Sequence, residues 1–304
     1  MFAGRAARRA LPLLAAALAT LVVACAAPPA PPAPTAAALL PGSSSSVTEV
    51  PIRPAPTPTR ESATATSAPT KAATPTVGPS AALSLQWFGQ STFLLTSSKG
   101  TRLLMDPTNA ATGYAIQPFE GVDVVTISHE HADHNNLALA PGNPTVIRGL
   151  KGGDWASVDQ TVKDIRIRAV PTYHDDQKGA QRGKNAVFVL EVDGVRIAHM
   201  GDLGHLLTQE QVAILGQVDV MMVPVGGFFT LDATGATKVV EQLSPRVVIP
   251  MHFKTPRMSP QWQGGPVDPF LEGKKVESVG TNKLELSRAT LPATTTVYLL
   301  GYES

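Results

Sequence analysis

One run of seven residues constrains this chain more than any other: Ser128-His129-Glu130-His131-Ala132-Asp133-His134. It follows directly on Val122–Ile127, an apolar, β-branched stretch that reads as a buried strand. Three histidines and an aspartate within six residues are poor packing material, because polar groups near a core are costly unless partnered. Imidazole nitrogen and carboxylate oxygen suit zinc, iron or manganese. Held in a tight loop, this spacing can aim two pairs of ligands at two adjacent ions. The chain must therefore deliver a strand into an open loop at a sheet edge.

The surrounding pattern supplies such a sheet. Short apolar or β-branched runs recur at Leu83–Phe88, Thr92–Thr96, Arg102–Met105, Thr145–Arg148, Ile165–Val170, Ala186–Val192, Val195–His199, Val218–Val223, Val247–Pro250 and Thr296–Leu299. Gly, Asp and Pro punctuate them, as strand ends require. Thr208–Leu215 and Asp232–Leu243 read as helices, the second with Asp232 as its cap and Val239, Val240 and Leu243 at helical spacing. Strands dominate the first half and alternate with helices later. That predicts an α/β layered sandwich rather than an all-β barrel, spanning residues 81–304.

The N-terminal part has a different composition. Residues 1–25 carry Arg5, Arg8 and Arg9, then an apolar run from Ala10 to Ala24 that is short for a bilayer span and fits a secretory signal. The ending Leu21-Val22-Val23-Ala24-Cys25 resembles a bacterial lipobox, which implies that Cys25 is acylated and anchors the protein to the outer face of a membrane. An ordinary cleaved signal with an incidental cysteine is the alternative. Residues 26–80 are rich in Pro, Ala, Thr and Ser and contain no aromatic residue. Such a segment cannot bury enough apolar surface to offset its ordering entropy, so it reads as a disordered, partly polyproline-like tether. Cys25 is the single cysteine, which excludes an intrachain disulfide.

Further histidines and aspartates stand at strand ends in an order that resembles the metallo-β-lactamase superfamily, whose signature is His-x-His-x-Asp-His. His174 closes Pro171-Thr172-Tyr173-His174, Asp202 closes His199-Met200-Gly201-Asp202, and His252 closes Ile249-Pro250-Met251-His252. Asp106 ends the strand Leu103-Leu104-Met105. The resemblance covers residues 83–304 and implies a four-layer αββα sandwich. It implies two divalent ions, zinc first and manganese or iron as alternatives. His129, His131 and His174 would bind one ion, Asp133, His134 and His252 the other, with Asp202 bridging and Asp106 bracing the ligand loop. A hydroxide shared by the ions, oriented by Asp133, would then cleave a small ester, lactone or phosphodiester.

Within that superfamily the chain is most similar to the ascorbate-6-phosphate-lactonase-like hydrolases. The similarity rests on Trp87-Phe88-Gly89-Gln90-Ser91-Thr92-Phe93, Gly201-Asp202-Leu203-Gly204-His205, Val223-Pro224-Val225-Gly226-Gly227 and Pro250-Met251-His252-Phe253-Lys254-Thr255. Gln90 cannot act as a strong base.

Other residues carry open readings. His205 is a candidate acid or substrate contact, with an ordinary structural histidine as the alternative; His199, inside a strand, reads as structural. Arg182, Lys184 and Asn185, in a glycine-bearing loop, could hold an anionic substrate or line a solvated loop, and Lys254 has the same standing. Trp87, Phe93, Phe228 and Phe229 read as core or pocket wall. The net charge of +1, with no basic stripe, argues against a nucleic-acid partner and for a small-molecule substrate. A surface lipoprotein that binds metal or solute without turnover is the rival reading.

Overall fold

The computed structural model describes residues 82–302. The expected signal over residues 1–25, with Cys25, and the expected tether over residues 26–80 lie outside the described residues. Five strands open the domain: β1 (Leu83–Trp87), β2 (Phe93–Thr96), β3 (Arg102–Met105), β4 (Val124–Ile127) and β5 (Thr145–Arg148). A small hairpin, β6 (Leu150–Lys151) and β7 (Asp154–Trp155), leads to β8 (Asp159–Val162), β9 (Ile165–Tyr173), β10 (Lys184–Val192) and β11 (Val195–His199). Helix α1 (Gln209–Leu215), β12 (Val220–Pro224), α2 (Ala233–Leu243), β13 (Val247–Met251), α3 (Asp268–Leu271), β14 (Val276–Ser278), β15 (Lys283–Leu286) and β16 (Thr296–Leu299) follow.

These strands form two sheets, in the orders β15-β1-β2-β3-β4-β5 and β14-β16-β13-β12-β11-β10-β9-β8. The alternation of side chains along the first sheet explains its packing. Leu83, Leu85, Trp87, Phe93, Leu95, Leu103, Met105 and Val124 join the main core with the second sheet. Leu94, Leu104, Val125 and Ile127 project from the other face and pack with Phe119, Val122 and Leu139. That outer layer is irregular chain with two 3-10 turns, Ala110–Thr112 and Leu137–Leu139. On the second sheet, α2 buries Ala236, Val239, Val240 and Leu243 in the main core. Asp232 caps it by accepting the Gly235 amide, a contact worth about 1 kcal/mol. The predicted α/β sandwich, its core strands and both predicted helices are present.

Strand direction gathers the site. β3 and β4 are parallel, as are β11, β12 and β13. β9 runs antiparallel to β10, and β10 antiparallel to β11, so β9 and β11 point the same way. The carboxyl ends of β9, β11 and β13 therefore share one edge of the second sheet. β9 extends past the predicted boundary, through Pro171. β8 pairs only with Ile165–Arg168, so Pro171 faces no ladder partner on that side and its missing N–H is tolerated.

Candidate metal centre

Every residue of the seven-member constellation sits just beyond a strand end. His129, His131, Asp133 and His134 follow β4, His174 follows β9, Asp202 follows β11 and His252 follows β13. Asp106 follows β3 in the left-handed region (φ 42°), as do Gln90 (φ 48°) and His252 (φ 50°). Such backbone costs about 1–3 kcal/mol per residue and concentrates at functional sites. Gly201 is required at its place. Its φ is 54°, and a Cβ there would stand 2.4 Å from Asn185 Oδ1 and 2.7 Å from Ser128 Cβ.

Asp202 is the centre of the arrangement. Its Oδ2 lies 3.1 Å from His174 Nε2, 3.2 Å from both His134 Nε2 and His252 Nε2, and 3.8 Å from His129 Nε2. Two donor groups, His129–His131–His174 and Asp133–His134–His252, each gather within 4.8 Å. His129 Nε2 and His131 Nδ1 face each other at 3.1 Å.

Asp106, wholly buried, braces this loop. Its Oδ1 accepts the Ser128 amide at 2.7 Å, and its Oδ2 accepts the Ser128 hydroxyl and His134 Nδ1–H, the latter at 2.9 Å. With Ser128 Oγ donating to Asp106, His129 Nδ1–H donates to Ser128 Oγ at 2.9 Å, which leaves Nε2 of His129 as a bare lone pair. Asp106 also lies near His129 and His134, but its oxygens are already engaged, so it acts as a brace.

Burial alone would raise the Asp202 carboxyl, but His134 and His252 hold it well below the ordinary carboxylate range. Burial would lower His134, but Asp202 and Asp106 raise it well above the ordinary imidazole range. Burial, reinforced by His134, keeps His129 far below that range, and burial with His174 lowers His131. The result is a buried Asp202–His134 charge pair flanked by His129 and His131, whose burial favours the neutral ring. Buried atoms with no partner collect here: Gln90 Oε1, His134 Nε2, His174 Nδ1 and His252 Nδ1. Of these, His134 Nε2 faces Asp202, and with Nε2 of His129, His174 and His252 it converges on that carboxylate, a set of nitrogen and oxygen ligand atoms that suits a divalent cation.

A cavity of about 350 Å³ opens on the centre, lined by Gln90, His131, Asp133, His174, Arg182, Asp202, Phe229, His252 and Trp262. The Gln90 amide donates to Asp133 Oδ2 at 3.0 Å and stands 2.8 Å from His252 Nε2.

Several expected roles are corrected by this geometry. His205 is not among the cavity residues. Its Nε2 accepts the Tyr173 amide at 3.1 Å and its Nδ1 donates to the Leu206 carbonyl at 2.7 Å, so both nitrogens serve backbone. Asn185 is wholly buried and cannot meet substrate; it donates to Met200 O and Thr172 Oγ1 and accepts the Asp202 amide. The Lys254 ammonium donates to the carbonyls of Pro260 and Trp262, holding the loop that carries Trp262. His199 is structural as expected: its Nε2 donates to the Ser91 carbonyl at 2.9 Å. Phe93 and Trp87 are core, Phe229 is cavity wall and Phe228 is exposed.

Asp175 escaped sequence reasoning. Its carboxylate accepts four backbone amides, those of Gln177, Gly179, Gln181 and Arg182, at 2.7–2.9 Å. The D-D-x-x-G spacing after His174 was the only available signal.

Comparison with known proteins places these residues in context. The family model of the beta-lactamase superfamily domain matches residues 84–252. A UPF0173 metal-dependent hydrolase of Archaeoglobus fulgidus is 30% identical over 196 residues, covering 57% of this chain and 84% of the relative. Another, from Pyrococcus furiosus, is 31% identical over 190 residues, covering 56% and 84%. A crystal structure from Thermotoga maritima, described as that of a "putative zn-dependent hydrolase of the metallo-beta-lactamase superfamily", is 34% identical with a TM-score of 0.56, covering 72% of this chain and 98% of that one.

Proposed function

The chain belongs to the beta-lactamase superfamily, and from that membership we propose that it is a metal-dependent hydrolase with a two-ion site. His129, His131 and His174 would hold one ion, Asp133, His134 and His252 the other, with Asp202 between them. Zinc fits imidazole and carboxylate donors, and the Thermotoga maritima relative is described as zinc-dependent; manganese or iron would suit the same donors. Bound there, such ions supply Lewis acidity toward an acceptor oxygen and make a water acidic enough to lose its proton near neutral pH. The observation that carries this reading is the single Asp202 oxygen ringed by four imidazole nitrogens at 3.1–3.8 Å.

The chain's own groups do the rest. Asp133, partly exposed to the cavity, accepts a hydrogen bond from an attacking water and orients it. Gln90 fixes that carboxylate through its amide and offers the cavity a neutral donor rather than a base. Phe229 and Trp262 cover one wall, and the volume suits a small ester, lactone or phosphodiester rather than a polymer. The resemblance to ascorbate-6-phosphate-lactonase-like enzymes supports the lactone class. The Cys25 lipobox supports an exported, lipid-anchored enzyme of the bacterial envelope.

The test joins elemental analysis to an ester, lactone and phosphodiester panel. About two divalent ions per chain are expected, with turnover lost to chelator and restored by zinc. A chain that takes up no ion after reconstitution overturns the proposal. One that holds ions yet turns over none of the three classes is the non-catalytic lipoprotein instead.

A further inference from the structure

Two cavities meet at the metal centre, and His131 and Arg182 line both. The second is an open groove of about 640 Å³ whose walls carry four cations, Arg148, Lys151, Arg182 and Lys184. Two of these are spoken for. Arg148 pairs with Glu130 at 2.5 Å, and Lys184 pairs with Asp154 at 2.9 Å. Lys151 and Arg182 have no carboxylate partner among the described residues.

Arg182 is a held residue. Its guanidinium lies 5.7 Å from the Phe228 ring centroid and 5.9 Å from that of Phe229. Its own amide makes the shortest of the four bonds to Asp175, at 2.7 Å, and Asp175 follows His174 directly in the chain. The loop bearing the cation is thus fastened to the same strand end that presents His174. Phe228, which seats the guanidinium, is 54% exposed and in the left-handed region (φ 57°), a costly place for an aromatic residue with no core to fill. Across the site cavity the Trp262 ring stands 5.9 Å from Phe229 and 5.7 Å from His252.

We propose that this junction selects the substrate: the hydrolase proposed above acts on small esters or lactones that carry an oxyanion, a carboxylate or phosphate, away from the scissile bond. The proposal rests on the hydrolase reading. The oxyanion docks on the Arg182 fork, with Lys151 adding charge from the groove, while the apolar part of the substrate lies against Phe229 and Trp262. A planar guanidinium on an aromatic bed presents two parallel donors in a fixed plane, which suits either oxyanion and offers a neutral ester no equivalent partner.

The experiment has two arms. In the first, zinc-loaded protein is given matched esters of one phenol, the neutral acetate, the carboxylate-bearing succinate and a phosphate-bearing analogue. Wild type is expected to favour one or both anionic esters in kcat/KM by about 10-fold or more, and R182Q to lose that preference mainly through KM. R182K keeps the charge but not the fork and should fall between them. An unchanged melting temperature and an unchanged zinc content show that R182Q is folded. In the second arm, calorimetry follows phenylpropionate and benzylphosphonate binding to chelator-treated protein. Binding that weakens in R182Q and with added salt supports the subsite, and which probe binds tells carboxylate from phosphate. Ester turnover with no anionic preference and no effect of R182Q overturns the subsite but leaves the hydrolase. Arg182-dependent binding with no turnover of any ester overturns the hydrolase and keeps the subsite.

Discussion

Asn185 holds Asp202 in place: its side-chain oxygen accepts the Asp202 amide at 3.0 Å, while its amide group donates to Met200 O and Thr172 Oγ1. A strand residue of β10 thereby positions the carboxylate that the histidines surround. Truncation leaves the Asp202 amide and the Met200 carbonyl unpaired in the core. Each such group costs about 1–3 kcal/mol, and each kcal/mol lowers Tm by roughly 2–4 °C in a domain of this size. Asn185→Ala should melt several degrees below wild type and also retain less zinc after dialysis. A variant with unchanged melting and zinc content would remove Asn185 from the account.

Asp106 makes a sharper test because it touches the site only through its neighbours. Asp106→Asn preserves shape but places a donor where an acceptor is needed by Ser128 or His134. Loss of such bracing typically costs ~10–100-fold in metal affinity. Competition against a chromophoric chelator measures this directly, and Asp106→Glu should recover little, since the buried pocket has no room for a further methylene. Wild-type affinity in Asp106→Asn would mean that the loop positions its own histidines.

The sequence made the ligand-bearing framework legible because two independent requirements coincide there. Buried strands must be apolar, and donors clustered at their ends have no packing reason to be there. His129, His131, Asp133 and His134 therefore stood out as a cluster, whereas Asp106, His174, Asp202 and His252 were placed only by their order in the family resemblance. Asn185, Asp175 and Lys254 did not, since their roles are set by partners distant in space or by backbone amides. Asn185 looks like a loop polar residue until β10 buries it against β11. His205 misled for the converse reason: a histidine three residues after Asp202 looks poised, but the turn spends both its nitrogens on backbone. The edge strands β8 and β15 were missed because their exposed faces carry Asp, Lys and Glu, which dilutes the apolar signal. Gln90 could be excluded as a base from its chemistry alone, but its bond to Asp133 needed the fold.

Cys25→Ser tests the anchor separately from the enzyme. The lipobox reading predicts that this variant leaves the membrane fraction for the soluble fraction when expressed with export intact. On the same reading, metal content and melting of the 81–304 domain should not change, since a tether over residues 26–80 would separate it from the anchor. Among the described residues no helix is long and apolar enough to cross a membrane, so the domain offers no helical span as a substitute. Full retention with membranes would make the lipobox incidental.

Asp133 and His205 should differ in kind. Asp133→Ala removes a proposed ligand and the group that orients water, so turnover should fall by about 10²-fold or more even on an activated ester. General acid help is worth ~10²–10⁴-fold and matters most for poor leaving groups. His205, with both nitrogens committed to Tyr173 and Leu206, should supply none of it. His205→Gln is expected to keep turnover within about 10-fold of wild type on activated and unactivated substrates alike. Its effect belongs to stability. Burial, opposed in part by the Leu206 carbonyl, holds His205 below the ordinary imidazole range. The unfolded chain therefore binds a proton there first, near pH ~6.5. The stability that neutral His205 contributes is complete above that pH and drains away as pH falls from it toward the folded pKa. Between pH 7 and 5 the melting temperature of His205→Gln should thus decline less steeply than that of wild type, although it starts lower. A selective loss of turnover on the poor leaving group, with parallel melting curves against pH, would return His205 to the reaction as its acid.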